Sequence, residues 1–103
     1  MRQFILSLFL IFGLYFPASA DDYDKALNAL KSGNFATALQ LWNRLAEQGN
    51  SKAQIKLGFM YEKGRGVQKD YKVAFEWYQR AALQGDGEAQ HKVGTMYHEG
   101  HGV

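Results

Sequence analysis

The amino-acid sequence predicts an all-α solenoid of antiparallel helix pairs, and three observations support this fold class. Residue types recur at an offset of 36 positions, apolar residues inside each unit follow helical spacing, and glycines and capping residues divide the chain into five helical segments. A fixed period of this size with helical spacing inside each unit is typical of stacked helix pairs. The recurring positions are Ala53, Gly58, Met60, Tyr61, Gly64, Gly66 and Val67, matched by Ala89, Gly94, Met96, Tyr97, Gly100, Gly102 and Val103.

Residues 1–20 are typical of an export signal and stand apart from the repeats. Arg2 precedes a mostly apolar run from Phe4 to Phe16, and small residues at positions 18–20 suit cleavage before Asp21. A membrane anchor is the alternative, but positions 4–20 would span only about 25 Å as a helix, against about 30 Å of hydrocarbon. We therefore expect an exported protein, periplasmic or secreted, with no membrane span once the signal is removed.

Composition argues against several classes of function. The formal net charge is +2 at pH 7, and no basic stripe is interleaved with aromatic residues, so nucleic-acid binding gains no support. The chain has no cysteine, which removes disulfides, thiol catalysis and cysteine-based zinc sites. We expect one small domain that packing alone holds together, without a cofactor.

The unit at residues 21–50 contains two predicted helices. The first runs from about Asp22 to Lys31 and ends at a Ser-Gly-Asn break, where Asn34 is placed to cap the second helix. Gly49 follows that second helix at the usual left-handed position. The second helix has one apolar stripe, formed by Phe35, Ala38, Leu39, Trp42, Leu45 and Ala46.

The next unit, residues 51–86, is the complete repeat. Its two predicted helices are Ser51–Lys63 and Tyr71–Gln84. Asn50 or Ser51 caps the first of them, and Asp70 caps the second. The first has an inward face of Ala53, Leu57, Met60 and Tyr61. The second has a stripe of Tyr71, Ala74, Phe75, Tyr78, Ala81 and Ala82.

The last unit, residues 87–103, is an incomplete repeat. Asp86 caps a fifth helix, Gly87–Glu99, after which the sequence stops where the pattern would continue into a further helix. Three side chains should therefore lack a cover, namely Val93, Met96 and Tyr97. Either the sequence is a fragment of a longer protein, or a partner or a second copy covers this end, with self-association through these side chains as one outcome.

Two glycines lie inside predicted helices, where each costs about 1 kcal/mol relative to alanine. They are Gly58 and Gly94. We expect close approach of a neighbouring helix to offset this cost, helped by small residues at Ala38, Ala46, Ala74 and Ala82. Large rings should fill the spaces between pairs, and the candidates are Trp42, Trp77, Tyr78, Tyr61 and Tyr97.

A dense pattern of small, aromatic and glycine positions covers residues 57–67, LGFMYEKGRGV, and continues at Asp70, Ala74, Trp77, Tyr78 and Ala81–Gly85. This pattern resembles the Sel-one-like repeat family. The unit at residues 21–50 is closer to a tetratricopeptide repeat, through Gly33, Phe35, Ala38 and Trp42. The resemblance implies a right-handed solenoid of antiparallel helix pairs that serves as a non-enzymatic scaffold or adaptor, in bacteria often at the envelope.

Three kinds of chemistry have candidate residues but simpler structural explanations. The glycine turn at residues 64–66 could cradle a phosphate, yet a helix rather than a strand precedes it, so its glycines more simply supply a turn. His91, His98 and His101 could share a metal ion, although no supporting carboxylate arrangement is evident and repeat drift explains them better. No nucleophile lies beside a base. We therefore predict neither a catalytic nor a metal site.

A binding surface is the remaining candidate. In stacked helix pairs the first helix of each pair lines the concave side, where partners commonly lie. Eight positions share this side, namely Lys52, Lys56, Phe59 and Lys63 with their repeat equivalents Glu88, Lys92, Thr95 and Glu99. They suit a protein or peptide with acidic groups and one apolar anchor near Phe59. An ordinary solvated face with cross-repeat pairs, such as Lys52 to Glu88, is the alternative.

Overall fold

The computed structural model describes residues 20–103, which form five α-helices joined by short turns. They are α1 (Ala20–Lys31), α2 (Phe35–Glu47), α3 (Ser51–Lys63), α4 (Tyr71–Leu83) and α5 (Gly87–Glu99). The described residues contain no β-strand. The predicted all-α solenoid is confirmed, and each predicted helix agrees with an observed one to within two residues. The predicted export signal lies, apart from Ala20, outside the described residues.

Side-chain caps explain why the helices begin where they do. The Asn50 side chain accepts a hydrogen bond from the amide of Ala53 at 2.9 Å, which identifies Asn50 as the cap of α3. Asn34, Asp70 and Asp86 cap α2, α4 and α5 in the same way. Each cap satisfies backbone N–H groups that have no partner inside the helix, so the helix starts are determined locally.

Each helix packs mainly against its neighbours in the sequence, as stacked pairs require. Two apolar clusters result. The first joins α1, α2 and α3 around Trp42, and the second joins α3, α4 and α5 around Tyr78, which lies 36 residues later. Both rings are fully buried, and fully buried alanines such as Ala38 and Ala74 lie in the same clusters. Burial of this apolar surface is the main stabilising contribution in a chain without disulfides.

Gly58 allows α3 and α4 to approach each other closely. A Cβ atom at this position would lie 2.7 Å from Cε1 of Tyr78, a distance that real Cβ contacts do not reach. The predicted close approach is therefore confirmed at Gly58. It is wrong at Gly94, where no atom lies within 4 Å of the corresponding Cβ position, because no helix follows α5 in the described chain.

The last helix is buried on one side only, which corrects two expectations. Met96 is 2 % exposed, so it lies in the second apolar cluster and does not lack a cover. Val93 packs against the edge of the same cluster. Tyr97 is 59 % exposed, which confirms that it lacks a cover, but it does not fill a space between pairs, and its ring meets Phe75 edge-on at 5.3 Å. The repeat pattern predicted burial where the described chain supplies no second neighbour.

The glycine turn after each first helix packs onto the start of the second helix of the preceding pair. A Cβ at Gly66 would lie 2.7 Å from Cβ of Phe35, and one at Gly102 would lie 2.5 Å from the carbonyl oxygen of Tyr71. Both glycines have positive φ values, of 75° and 79°. The two contacts are related by the 36-residue repeat. These glycines therefore have a packing role.

Substitution of the two helix-interior glycines should have opposite effects on stability. Gly58→Ala should lower the free energy of unfolding by about 1 to 3 kcal/mol, because the buried Tyr78 ring has no room to move away from a new Cβ. Gly94→Ala should raise it by up to about 1 kcal/mol through helix propensity alone. Urea denaturation followed by circular dichroism measures both. Equal effects of the two changes would contradict the packing role of Gly58.

Candidate functional site

A groove opens on the side of the solenoid formed by α1, α3 and α5. Its volume is about 250 Å³, whereas pockets for small molecules usually have about 300 to 1,000 Å³. The groove therefore suits a side chain and its backbone better than a drug-sized ligand. The residues that line it are Leu30, Ile55, Lys56, Phe59, Tyr78, Glu88 and Lys92.

Four of the eight predicted binding residues line this groove, and four do not. Those in the groove are Lys56, Phe59, Glu88 and Lys92. Those outside it, along the same two helices, are Lys52, Lys63, Thr95 and Glu99. The Thr95 hydroxyl donates to the backbone oxygen of His91 at 3.0 Å, and Glu99 lies 3.0 Å from Nδ1 of His101. The structure thus gathers half of the predicted set around Phe59.

Sequence reasoning missed three residues of the groove, which are Leu30, Ile55 and Tyr78. Tyr78 lies in the apolar stripe of α4, and the pattern assigned it to the core alone. Leu30 belongs to the preceding unit, at the end of α1. The helical spacing of Leu27 and Leu30 could have indicated an apolar edge on α1, but only the stacking of the units brings that edge to Phe59.

A hydrogen-bonded network connects α3, α4 and α5 at one side of the groove. The Tyr78 hydroxyl donates to Oε1 of Glu62 at 2.6 Å, and Nζ of Lys92 lies 3.7 Å from the same oxygen. Burial, reinforced by the hydrogen bond to Glu62, raises the pKa of Tyr78 far above its usual range. The phenol therefore keeps its proton and donates a hydrogen bond to Glu62. As a result Lys92 is held at a fixed place on the groove wall.

Asp86 joins the first turns of α3 and α5. One carboxylate oxygen accepts hydrogen bonds from the amides of Glu88 and Ala89, and the other lies 3.0 Å from Nζ of Lys52 and accepts from the Ser51 hydroxyl at 3.5 Å. The hydrogen bond from Lys52 lowers the pKa of Asp86 below its ordinary 3.8. Asp86 in turn raises the pKa of Lys52. Lys52 also lies 3.9 Å from Glu88, the predicted cross-repeat pair.

Positive charge without a counter-charge surrounds Phe59. Within residues 20–103, Lys56, Lys63 and Arg65 form no ion pair. The guanidinium carbon of Arg65 lies 5.6 Å from the centroid of the Phe59 ring, which is half-buried. Lys52 and Lys92, by contrast, already contact carboxylates of the chain. Three of the cations that form no ion pair in the described chain therefore lie on α3 and in the turn that follows it, and the others are Lys31, Lys69 and Lys72.

The three histidines have different surroundings. The His101 ring stacks on Tyr71 with centroids 4.1 Å apart, while His91 and His98 are exposed on α5. Among the residues that the structure describes, no three His, Cys, Asp or Glu side chains converge where they could hold a metal ion. In the same part of the chain, no helix combines the length and the apolar character that crossing a bilayer requires.

Comparison with known sequences identifies the repeat. A sequence profile described as the Sel1 repeat matches residues 29–50, 51–86 and 87–103. Human protein sel-1 homolog 2 is 46 % identical to this chain over 44 residues, an alignment that covers 43 % of this chain and 6 % of the human protein. The chain thus spans only a small part of the length of that curated relative.

Comparison with solved structures agrees with the profile. A Sel1 repeat protein from Oxalobacter formigenes superposes with a TM-score of 0.71 and 36 % identity, covering 80 % of this chain and 65 % of that one. A protective antigen of uropathogenic Escherichia coli strains, described as having an SLR fold, superposes with a TM-score of 0.65 and 46 % identity. That alignment covers 67 % of this chain and 15 % of the antigen.

The link formed by Asp86 should make stability depend on pH. Because its folded-state pKa lies below the ordinary value, the charge of Asp86 stabilises the fold above pH 3.8, and this contribution disappears as the pH falls through the lower folded-state pKa. Asp86→Asn keeps a capping oxygen but removes the charge. The difference in unfolding free energy between wild type and Asp86→Asn should therefore be constant from neutral pH to about pH 5 and shrink in stronger acid.

Two further variants separate the cap from the ion pair. Asp86→Ala should lower the free energy of unfolding by about 1 kcal/mol more than Asp86→Asn does, since Asp86→Ala also removes the cap. Asp70→Ala removes a cap with the same hydrogen-bond pattern that forms no ion pair within residues 20–103, and so reports the cap alone. Urea denaturation across the pH range provides the measurement. Parallel pH profiles for wild type and Asp86→Asn would contradict the electrostatic role.

Proposed function

Because this chain belongs to the Sel1 repeat family, we propose that it is an exported, non-enzymatic scaffold that binds a protein partner in the groove between α1, α3 and α5. Proteins with Sel1 repeats generally mediate protein–protein interaction. Export is supported by the pattern of residues 1–20, and scaffolding without catalysis is what the family generally does. The observation that carries the binding proposal is the half-buried Phe59, surrounded by unneutralised cations at the edge of a groove.

The groove has the composition of a small recognition site for protein. Leu30, Ile55 and Phe59 provide an apolar surface, and Lys56 supplies a charge beside it. An apolar anchor in a pocket with a polar rim is the usual arrangement of residues that dominate binding energy. An ordinary solvated face would explain Lys52 and Lys92, which are satisfied within the chain, but it does not explain why Phe59 stays accessible.

Self-association is a second candidate function, and one observation favours it. Tyr97 is 59 % exposed on α5, beside the unoccupied notch at Gly94. In the preceding pair the corresponding notch at Gly58 receives Tyr78 from the neighbouring helix. The exposed face of α5 therefore has a shape that accepts another helix, and a second copy of the chain could cover it together with Val93.

Replacement of Phe59 and Lys56 together by alanine should abolish capture of the partner in a crosslinking pull-down from the native cells. The groove would then lose its main apolar contact and its adjacent charge, whose combined loss we expect to exceed about 2 kcal/mol of binding energy. The helical circular dichroism should not change. The matched control is Leu83→Ala with Lys72→Ala, since Leu83 is an apolar side chain 82 % exposed and Lys72 an exposed cation. Equal loss of the partner from both double variants, or from neither, would count against the groove.

Sedimentation velocity tests the second candidate. If the α5 face mediates self-association, the wild-type protein should show a concentration-dependent dimer, and Tyr97→Glu should remain monomeric because it places a charge in the contact. Leu83→Glu serves as the control, since it adds the same charge at an exposed apolar site on α4. A wild-type protein that stays monomeric at the highest accessible concentration would eliminate this candidate.

A further inference from the structure

The groove carries a charge gradient along α3. Towards the N-terminal ends of α3 and α5, Lys52 is neutralised by Asp86 and Glu88, and Glu88 also lines the groove. Towards the C-terminal end of α3, Lys63 and Arg65 have no counter-charge within residues 20–103. Glu99, at the equivalent end of α5, lies 3.0 Å from Nδ1 of His101. An anionic group on a ligand is therefore repelled by Glu88 at one end of the groove and attracted along the α3 side at the other end.

The spacing of these groups gives the length of the ligand between its two points of contact. The α3 residues that line the groove are Ile55, Lys56 and Phe59, so its centre lies near position 57. Lys63 follows about six residues later, which is about 9 Å along the helix axis. An extended polypeptide rises by about 3.3 Å per residue. About three residues of extended chain therefore connect the groove with Lys63.

We propose that the groove binds an extended acidic protein segment, with one apolar side chain inserted beside Phe59 and acidic residues up to about three positions away, which contact Arg65 next to the Phe59 ring and Lys63 further along α3. This inference rests on the proposed function and adds the chemistry, spacing and polarity of the partner. Lys56 contacts a carbonyl or carboxylate oxygen next to the apolar anchor. Glu88 keeps acidic residues away from the opposite end.

Charge complementarity favours a protein segment over a polyanion of uniform charge. Glu88 lines the groove, and Glu62 contacts the wall residue Lys92. Both carboxylates would repel a continuous row of phosphates. Lys52, at one end of the row of cations on α3, is neutralised by Asp86 and Glu88, so the unpaired cations do not run the whole length of the groove. An apolar surface of Leu30, Ile55 and Phe59 has no counterpart in a phosphate backbone, but it matches a leucine or phenylalanine side chain.

Labelled, end-capped peptides in a serine and glycine background test this inference by fluorescence polarisation with the purified protein. The probe has one leucine and, about three residues away, a pair of glutamates, and its reversed sequence is included because either chain direction fits the spacing. Three controls replace the leucine by serine, replace the glutamates by glutamines, or move the glutamates to the far end of the peptide. We expect the probe to bind in one direction and each control to bind more weakly, with binding weakened by added salt.

Protein variants identify the contacts. Phe59→Ala should lower the affinity for the probe peptide by about tenfold or more. Lys63→Ala with Arg65→Ala should lower it by about fivefold or more. The double variant Lys69→Ala with Lys72→Ala removes the same charge from two cations outside the groove and should leave the affinity within about twofold. Circular dichroism confirms that each variant is folded.

The results distinguish this inference from the proposed function. If the peptide with displaced glutamates binds as tightly as the probe, or if Lys63→Ala with Arg65→Ala has no effect, the inference is overturned. The proposed function still stands in that case, provided that capture of the native partner depends on Phe59 and Lys56. A single-stranded oligonucleotide that binds more tightly than the probe and needs Lys63 and Arg65 would also overturn it. Retention of the native partner by the Phe59 and Lys56 double variant overturns the proposed function itself.

Discussion

The contact between Gly58 and the ring of Tyr78 is the constraint on which the rest of the structure depends. The ring lies against the backbone of α3 at a distance that any Cβ would prevent. The position of the ring determines the position of its hydroxyl, which donates to Glu62 at 2.6 Å, and Glu62 in turn contacts Lys92 on α5. One packing contact therefore determines the separation of α3 and α4 and also the place of a cation on the groove wall. Stability and the geometry of the binding surface follow from the same interaction.

The first helix pair packs at the equivalent place with different side chains. Trp42 occupies the position of Tyr78, and Ala26 occupies the position of Glu62, 36 residues earlier. Both are fully buried in the first apolar cluster, where Tyr23 meets the indole edge-on at 5.1 Å. Nε1 of Trp42 is buried without a hydrogen-bond partner in the described chain, at a cost of about 1 to 3 kcal/mol. The larger apolar area of the indole offsets that cost. The polar network of the groove therefore belongs to the second pair and α5, and not to the repeat in general.

The sequence predicted correctly the features that depend on nearby residues of the same helix. It failed for features that depend on packing between separate helices. Helix starts were right because a cap such as Asn50 acts on amides two or three residues away, whatever surrounds the helix. Gly94 has the same residue type as Gly58 but a different environment, since no helix follows α5 in the described chain, and its close approach was wrongly predicted. The expectation that Tyr97 fills a space between pairs was wrong for the same reason, whereas its predicted lack of a cover is confirmed. Leu30 was missed because the groove exists only where separate units meet. A periodic pattern within one helix contains no information about the distance between units.

Specific binding by a repeat fold has to come from departures from the repeat, because identical units would present identical surfaces and allow a ligand to bind in several registers. The backbone of α5 repeats that of α3, yet α3 has Phe59 and Lys63 where α5 has Thr95 and Glu99. The side of the groove along α3 is therefore apolar and positive, while the side along α5 begins with an acidic residue. A ligand that lies across both helices experiences different fields at its two ends, and such complementarity determines orientation more than affinity. The repeated backbone geometry of the units supplies a rigid surface. The residue differences between the units favour one position and one orientation of a ligand bound on that surface.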